Sequence, residues 1–272
     1  MAHVDGRIAV TGATSGIGLA TAVSLGRRGC RLVLQGPESA ADAAVVVDAV
    51  RAAGAPEVAY VTSDFSALDD VVEAAARMAQ LGPLDALINN AGVPGSESRR
   101  ETDDGHERTL QVNFLAMVLL TAALGASFGP TARIVNLASA THTSVALDLP
   151  DLELTRGYSA VRAYARSKLA IVMYTRWLGR HPLGGTTAVC LQPGVVNTGL
   201  LHAMFGSIGT SVEHGAASVI AALDAEARGG EYYDEGRLVA PSAEAQDDDL
   251  GDELMAWTWG RLGGFGVAPP PT

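Results

Sequence analysis

Arg7-Ile-Ala-Val-Thr11 is a short apolar run that passes without a break into Gly12-Ala-Thr-Ser-Gly16-Ile-Gly18 and then into an Ala/Leu-rich stretch. Strand, glycine turn and helix in that order constrain the fold more than any other feature, because they supply the opening of a βαβ unit. The same turn can hold an anion. Gly12 permits the tight bend, while Gly16 and Gly18 let a pyrophosphate and the neighbouring backbone approach the start of the helix. The loop reads as a dinucleotide site, and a glycine turn holding no ligand is the alternative. Its Gly-x-x-x-Gly-x-Gly spacing differs from the common Gly-x-Gly-x-x-Gly form, so the generic motif does not apply.

The alternation begun there continues along the chain. Apolar runs at residues 31–35, 57–62, 84–88, 133–137, 186–191 and 237–240 read as strands. Helical patterns at about residues 40–53, from 67 onward, at 104–127, from Tyr164 to about Trp177, and from Pro241-Ser242 to Arg261 separate most of them. The expectation is an α/β fold: a single Rossmann-type, doubly wound parallel sheet with helices on both faces. Residues 1–262 form one domain, and the Gly/Pro-rich residues 263–272 a frayed tail. Residues 140–157 lack a period and contain Pro150 and Gly157, which suggests a loop or lid. Leu200, Leu201, Met204, Phe205 and Ile208 stand among glycines, as a mobile apolar flap over a substrate or as a helix packed on the core.

Composition narrows the partners. With 30 acidic against 19 basic residues and a formal charge of -11, the chain has no general attraction to nucleic acid or anionic membrane, so a small-molecule partner is expected. Cys30 and Cys190 belong to no Cys-x-x-Cys pattern, as in a reducing compartment. No histidine spacing suits a metal, and Asp247-Asp248-Asp249 reads as a solvated helix face. No apolar run reaches bilayer-spanning length and the N-terminus lacks a signal pattern, so a cytoplasmic location without membrane contact is expected.

The chemistry centres on Tyr164-Ala-Arg-Ser-Lys168. Residues four apart on a helix share a face, so the phenol and the ammonium can enter one site. A neighbouring cation favours the phenolate and lowers a pKa that is otherwise ~10, giving a candidate general acid/base. An exposed aromatic beside a solvated lysine is the bland alternative. Ser139 is delivered at the carboxyl end of the strand at 133–137, and Asn89-Asn90-Ala91-Gly92 at the end of another, where open α/β sheets bind ligands. Asn113 interrupts an apolar helix face and needs partners, kinking the helix or holding a water. Asp64 could meet an adenine amino group or cap the next helix. Gln35-Gly36-Pro37 offers neither the acid nor the Arg by which such loops choose between nicotinamide cofactors.

Together, Thr11-Gly-Ala-Thr-Ser-Gly-Ile-Gly18, Asn89-Asn-Ala-Gly92, Asn113, Ser139, Tyr164-x-x-x-Lys168 and Pro193-Gly194 resemble the short-chain dehydrogenase/reductase family over nearly the whole chain. Arg162-Ala-Tyr-Ala-Arg-Ser-Lys-Leu-Ala170, Gln192-Pro-Gly-Val-Val-Asn-Thr198, and Tyr232-Tyr233 followed by Pro-Ser-Ala-Glu-Ala-Gln246 resemble its retinol-dehydrogenase-like branch. The chain departs from the family at Gln35 and Pro37, where NADP-using members commonly place an Arg, and at Ala138, where a second Ser often stands.

The resemblance implies hydride transfer between NAD(P)(H) and an alcohol or ketone of a fairly apolar small molecule, with a lean to NADP. It makes Tyr164 the proton donor. Lys168 would lower the Tyr164 pKa and bind the nicotinamide ribose, Ser139 would bind the substrate oxygen, and Asn113 would hold a water leading to solvent. Around the cofactor it places Gly12, Ser15, Gly16, Ile17 and Gly18 at the pyrophosphate and ribose, Asp64 and Phe65 at adenine, and Asn90 at the adjacent ribose, with Ala91 and Gly92 also binding the cofactor. Thr198, after Pro193-Gly194, would reach the nicotinamide carboxamide, and Pro193, Gly194 and Val196 are also cofactor-binding. A homodimer or homotetramer is implied. A non-redox enzyme on the same fold (dehydratase, epimerase or cyclase) and a non-catalytic dinucleotide sensor are the rival readings.

Overall fold

The computed structural model describes residues 6–200 and 209–269. Its strands are β1 (Arg7–Val10), β2 (Arg31–Gly36), β3 (Val58–Thr62), β4 (Leu84–Asn89), β5 (Phe128–Leu137), β6 (Thr187–Gln192), β7 (Glu231–Asp234) and β8 (Arg237–Val239). They form one eight-stranded sheet in the order β3-β2-β1-β4-β5-β6-β7-β8. All neighbours pair in parallel except β7 and β8. Sequence order reverses between β1 and β4, which opens a crevice at the carboxyl ends of those two strands.

The strands are apolar on both faces because both faces are covered. Ile8, Val10, Leu32, Leu34, Ala86 and Ile88 point into one core with α1 (Gly16–Arg27), α2 (Ala44–Ala52) and the helix Val212–Asp224. The intervening Ala9, Val33 and Leu87 face a second core, built with α3 (Leu68–Gln80), the helices that follow β4, and Ala160–Arg180. This is the expected doubly wound arrangement, with strand period two dividing each run between the layers.

Three features differ from the sequence reading. β7 was not anticipated, and β8 runs antiparallel to it, because Glu235-Gly236 is too short for a parallel crossover. Both turn residues take left-handed backbone, φ 46° and 80°, as a tight hairpin demands. The helix expected at 104–127 starts late and is interrupted. It consists of α4 (Arg108–Leu110), a π turn at Gln111–Leu115 and α5 (Ala116–Ala123), with Asn113 in the π turn. The segment at 140–157 is partly ordered into 3-10 turns at Ala140–Ser144 and Leu149–Asp151.

Helix α6 (Ala160–Arg180) begins at Ser159, whose hydroxyl accepts from the Arg162 N–H at 3.3 Å. Helix α7 is Val212–Asp224 and α8 is Asp248–Leu262. Asp247 caps α8 through the Leu250 N–H at 3.0 Å. The acidic run expected as a solvated face also docks α8 onto α6: Asp248 pairs with Arg176 at 3.2 Å and Asp252 with Arg180 at 2.7 Å. Beyond α8 the chain continues in a 3-10 turn, Gly263–Phe265, with Phe265 and Val267 leaning on the core. Leu201, Met204, Phe205 and Ile208 of the expected flap lie outside the described residues. Among the described residues no helix is long and apolar enough to cross a membrane, and no three His, Cys, Asp or Glu side chains gather as a metal site.

Candidate active site

Helix α6 brings Tyr164 and Lys168 to the carboxyl end of the sheet, one turn apart and both buried. The Lys168 Nζ lies 5.5 Å from the centre of the Tyr164 ring and donates to the carbonyl of Leu137, the last residue of β5, at 2.8 Å. Two residues on, the Ser139 hydroxyl lies beside the Tyr164 phenol, near enough to favour its ionised form. The Thr141 N–H and hydroxyl approach the same Ser139 oxygen at 3.3 and 3.1 Å. Sheet and helix therefore meet in a phenol, a hydroxyl and an ammonium.

Burial controls the charges there. It pushes the Tyr164 phenol up to about 12, with the Ser139 hydroxyl acting the other way. It pushes the Lys168 ammonium down to about 8. The expected lowering of Tyr164 by Lys168 is not the balance found in this state, because Nζ is turned to the Leu137 carbonyl and desolvation outweighs it.

Asn113 supports this group from behind. Its Oδ1 accepts from the Val93 N–H at 2.7 Å, and its Nδ2 donates to the Val93 carbonyl and the Ser167 hydroxyl, each at 3.0 Å. The buried amide thus ties the loop after β4 to α6, and the π turn brings it there. Gly92 keeps the path open: a Cβ on it would lie 3.3 Å from Asn113 Oδ1 and 3.7 Å from Lys168 Nζ.

At the other end of the crevice, Gly12 and Gly16 adopt φ 61° and 54°, which only glycine takes at little cost. A Cβ at Gly18 would come 2.1 Å from the Gly12 carbonyl, so this glycine lets α1 pack on the loop and stands behind it. Ser15 precedes α1 without capping it through its side chain, leaving the first N–H groups of the helix available to an anion. The Asn90 amide was expected at a ribose. Its Nδ2 donates to the Thr11 and Gly12 carbonyls at 2.8 and 3.0 Å, bracing the glycine loop on β4. Gln35 does similar work, accepting from the Gly12 N–H at 3.1 Å and donating to the Ser63 carbonyl at 2.8 Å.

One cavity of about 910 Å³ runs between the two ends. Gly12, Ser15, Gly16 and Ile17 line one part, Asp64 and Phe65 a second, and Asn90, Ala91 and Gly92 its floor. Ser139, Tyr164 and Lys168 line the far part, with Pro193, Gly194, Val196 and Thr198 around it. Gly18 and Asn113 lie outside the lining and act through the residues just described. Asp64 turns its carboxylate to the Ser66 N–H and hydroxyl at 2.8 and 2.7 Å and does not cap α3; Asp104 takes the Leu68 N–H there at 2.9 Å. The glycine cradle, the open helix N-terminus and the length of the cavity fit a dinucleotide.

Sequence reasoning passed over Glu38, which also lines the cavity. Its carboxylate folds back over Gly36 toward Thr14: a Cβ on Gly36 would lie 2.7 Å from Glu38 Oε2 and 2.6 Å from Thr14 Cγ2. Glu38 stands one residue beyond Gln35-Gly36-Pro37, and its fold-back depends on tertiary contacts that chain order does not show. Thr141 and the apolar Pro94, Val112 and Val195 were likewise unmarked by any motif.

The description of the short chain dehydrogenase family matches residues 7–207, well over half of the chain. The chain belongs to the short-chain dehydrogenase family. Polyprenol dehydrogenase of Mus musculus is 36% identical to it over 290 residues, covering 96% of this chain and 85% of the relative. Retinol dehydrogenase 13 of Homo sapiens is 34% identical over 272 residues, covering 92% and 82%. A short chain dehydrogenase from Burkholderia cenocepacia J2315, solved in complex with NADP, superposes with a TM-score of 0.68 at 27% identity, covering 89% of this chain and 98% of that one. This short-chain dehydrogenase is of the retinol-dehydrogenase-like branch and is an NAD(P)-dependent oxidoreductase.

Proposed function

We propose that this enzyme interconverts an alcohol and a carbonyl on an apolar small molecule, with Tyr164 moving the proton and Ser139 holding the oxygen. The observation that carries the reading is the Tyr164 phenol beside the Ser139 hydroxyl, one helical turn from Lys168, lining the same cavity as the glycine loop. A bound nicotinamide would supply or accept the hydride. The chain's residues do the rest. Ser139 donates to the substrate oxygen as charge grows on it, and Tyr164 gives that oxygen a proton in reduction or removes one in oxidation. Lys168 holds positive charge beside the phenol and offers donors to the ribose. Asn113 keeps Val93 and Ser167 in place beneath them.

The substrate class follows from Val93, Pro94, Val112, Val195 and Leu200, which give the cavity an apolar wall. The names of its relatives, polyprenol and retinol dehydrogenase, point the same way. The position of Glu38 supports NAD over NADP, because a carboxylate there would accept from the adenosine ribose hydroxyls and repel a 2′-phosphate. The acidic balance of the chain gives no attraction to an anionic membrane, in keeping with a location away from one.

The test is turnover of NADH or NADPH with a panel of apolar aldehydes and ketones, all-trans-retinal and decanal among them. Tyr164→Phe is expected to lower kcat by about 10²–10⁴-fold, the usual worth of a placed acid. Equal activity in the variant would refute the assignment. Deuterated nicotinamide separates net hydride transfer from a dehydratase, epimerase or cyclase, since only the former labels the product stoichiometrically.

A further inference from the structure

His142 lies three residues beyond Ser139 in the 3-10 turn Ala140–Ser144, and only 1% of it is exposed. Both ring nitrogens are engaged. Nδ1 is 2.8 Å from the Ser139 carbonyl oxygen, which can only accept, so Nδ1 carries the hydrogen. Nε2 is 3.2 Å from the Ser242 N–H, which can only donate, so Nε2 presents its lone pair. These neighbours fix a neutral ring in a single tautomer. Burial, pushing the imidazole pKa down, keeps it so. The Tyr232 ring of β7, with centres 4.9 Å apart at 60°, holds its plane.

The far end of this strut is itself anchored. Ser242 opens the short segment after β8, and its hydroxyl accepts from the Ala245 N–H at 3.3 Å. Two residues on, the Glu244 carboxylate takes the Leu147 N–H at 2.5 Å. The segment after β8 is thus fastened twice to the chain that follows Ser139, and His142 is the fastening nearest the hydroxyl.

We propose that His142 is a positioning residue, whose imidazole braces the Ser139 backbone against Ser242 so that the Ser139 hydroxyl meets the substrate oxygen in one place. The inference rests on the reading of Ser139 and Tyr164 given above. Displacing a group by about 1 Å can cost about 10²-fold in rate, so a strut that holds Ser139 should act on the chemical step. The nucleotide part of the cavity lies across the sheet and should be indifferent to it.

Three substitutions dissect the strut. His142→Phe keeps a ring against Tyr232 and removes both bonds. His142→Asn can still donate to the Ser139 carbonyl, and His142→Gln can still accept from the Ser242 N–H. The measurements are kcat and KM with NADH and the carbonyl that the wild type reduces fastest, NADH Kd by fluorescence titration, and Tm, with Tyr164→Phe alongside. H142F is expected to lower kcat by about tenfold or more with NADH Kd within about twofold of wild type, and H142N and H142Q to recover part of the loss. Wild-type kcat in H142F, or a kcat loss matched by an equal loss of NADH affinity in all three variants, would overturn the proposal. If H142F does not fold, H142N and H142Q decide it: lowered kcat at unchanged NADH Kd supports the strut, and wild-type kcat in both refutes it. An inactive Y164F beside a fully active H142F would reject the strut alone, whereas an active Y164F would reject the catalytic reading beneath it.

Discussion

Lys168 is 3% exposed at the wall of the cavity, and the protein bears a cost for that burial. Its ammonium titrates at about 8 in place of the usual 10.5 because burial disfavours the charge. Below pH 8 both folded and unfolded chains hold the proton, so the penalty is constant. Between 8 and 10.5 the unfolded chain holds a proton that the folded one has released, so stability rises with pH across that window. Relative to Lys168→Met, which has no such group, the wild type should gain about 2–3 kcal/mol between roughly neutral pH and about pH 10, measured by urea unfolding at each. An unchanging difference would mean that the ammonium is solvated. At the opposite end of the cavity, Glu38→Arg should exchange an acceptor of ribose hydroxyls for a partner of a 2′-phosphate. The ratio of NADH to NADPH affinity should fall by about tenfold or more, and paired binding titrations read it directly.

Among the elements, the π turn at Gln111–Leu115 matters most to the site. An Asn in an apolar helix face signals a constraint, but its partners come from other parts of the chain, the Val93 backbone and Ser167 of α6. Asn113→Ala would remove the partner of both backbone groups of half-buried Val93. The expected outcome is a loss of about 1–3 kcal/mol of stability by denaturant unfolding, together with lower kcat as the loop after β4 loosens beneath Tyr164 and Lys168. A buried ladder fixes α6 in turn: Asn136 of β5 donates to the Thr175 hydroxyl at 2.9 Å, and Asn89 of β4 donates to Asn136 at 2.9 Å. These bonds lock the helix that carries Tyr164 to the strand that delivers Ser139.

At the scale of the whole molecule, the C-terminal segment closes the structure over α6. Leu254, Met255 and Leu262 of α8 are buried in the core that holds Trp177 and Leu178, and the Trp177 and Trp259 rings lie 6.2 Å apart. Removing residues 247–272 should expose that apolar face, lower Tm and drive self-association, read by thermal unfolding and light scattering. Retention of Tm and of the wild-type mass would show that α8 is an accessory. The homodimer or homotetramer implied by the family resemblance would need a surface other than this one, and light scattering of the intact chain measures its size.

What the chain order determined by itself was everything carried by short spacing. Strand and helix periods gave the doubly wound sheet. The glycines at 12, 16 and 18 marked the loop, and the four-residue step from Tyr164 to Lys168 placed both on one helix face. Local geometry dictates such features, so the order of residues alone carries them. What only the tertiary structure decided was how distant groups share their hydrogen bonds. Gln35 and Asn90 brace the glycine loop, Glu38 turns back over Gly36 into the cavity, and His142 reaches across to Ser242. The balance of burial and charge that sets Tyr164 and Lys168 was hidden for the same reason, since desolvation depends on what packs around a group and not on its neighbours along the chain.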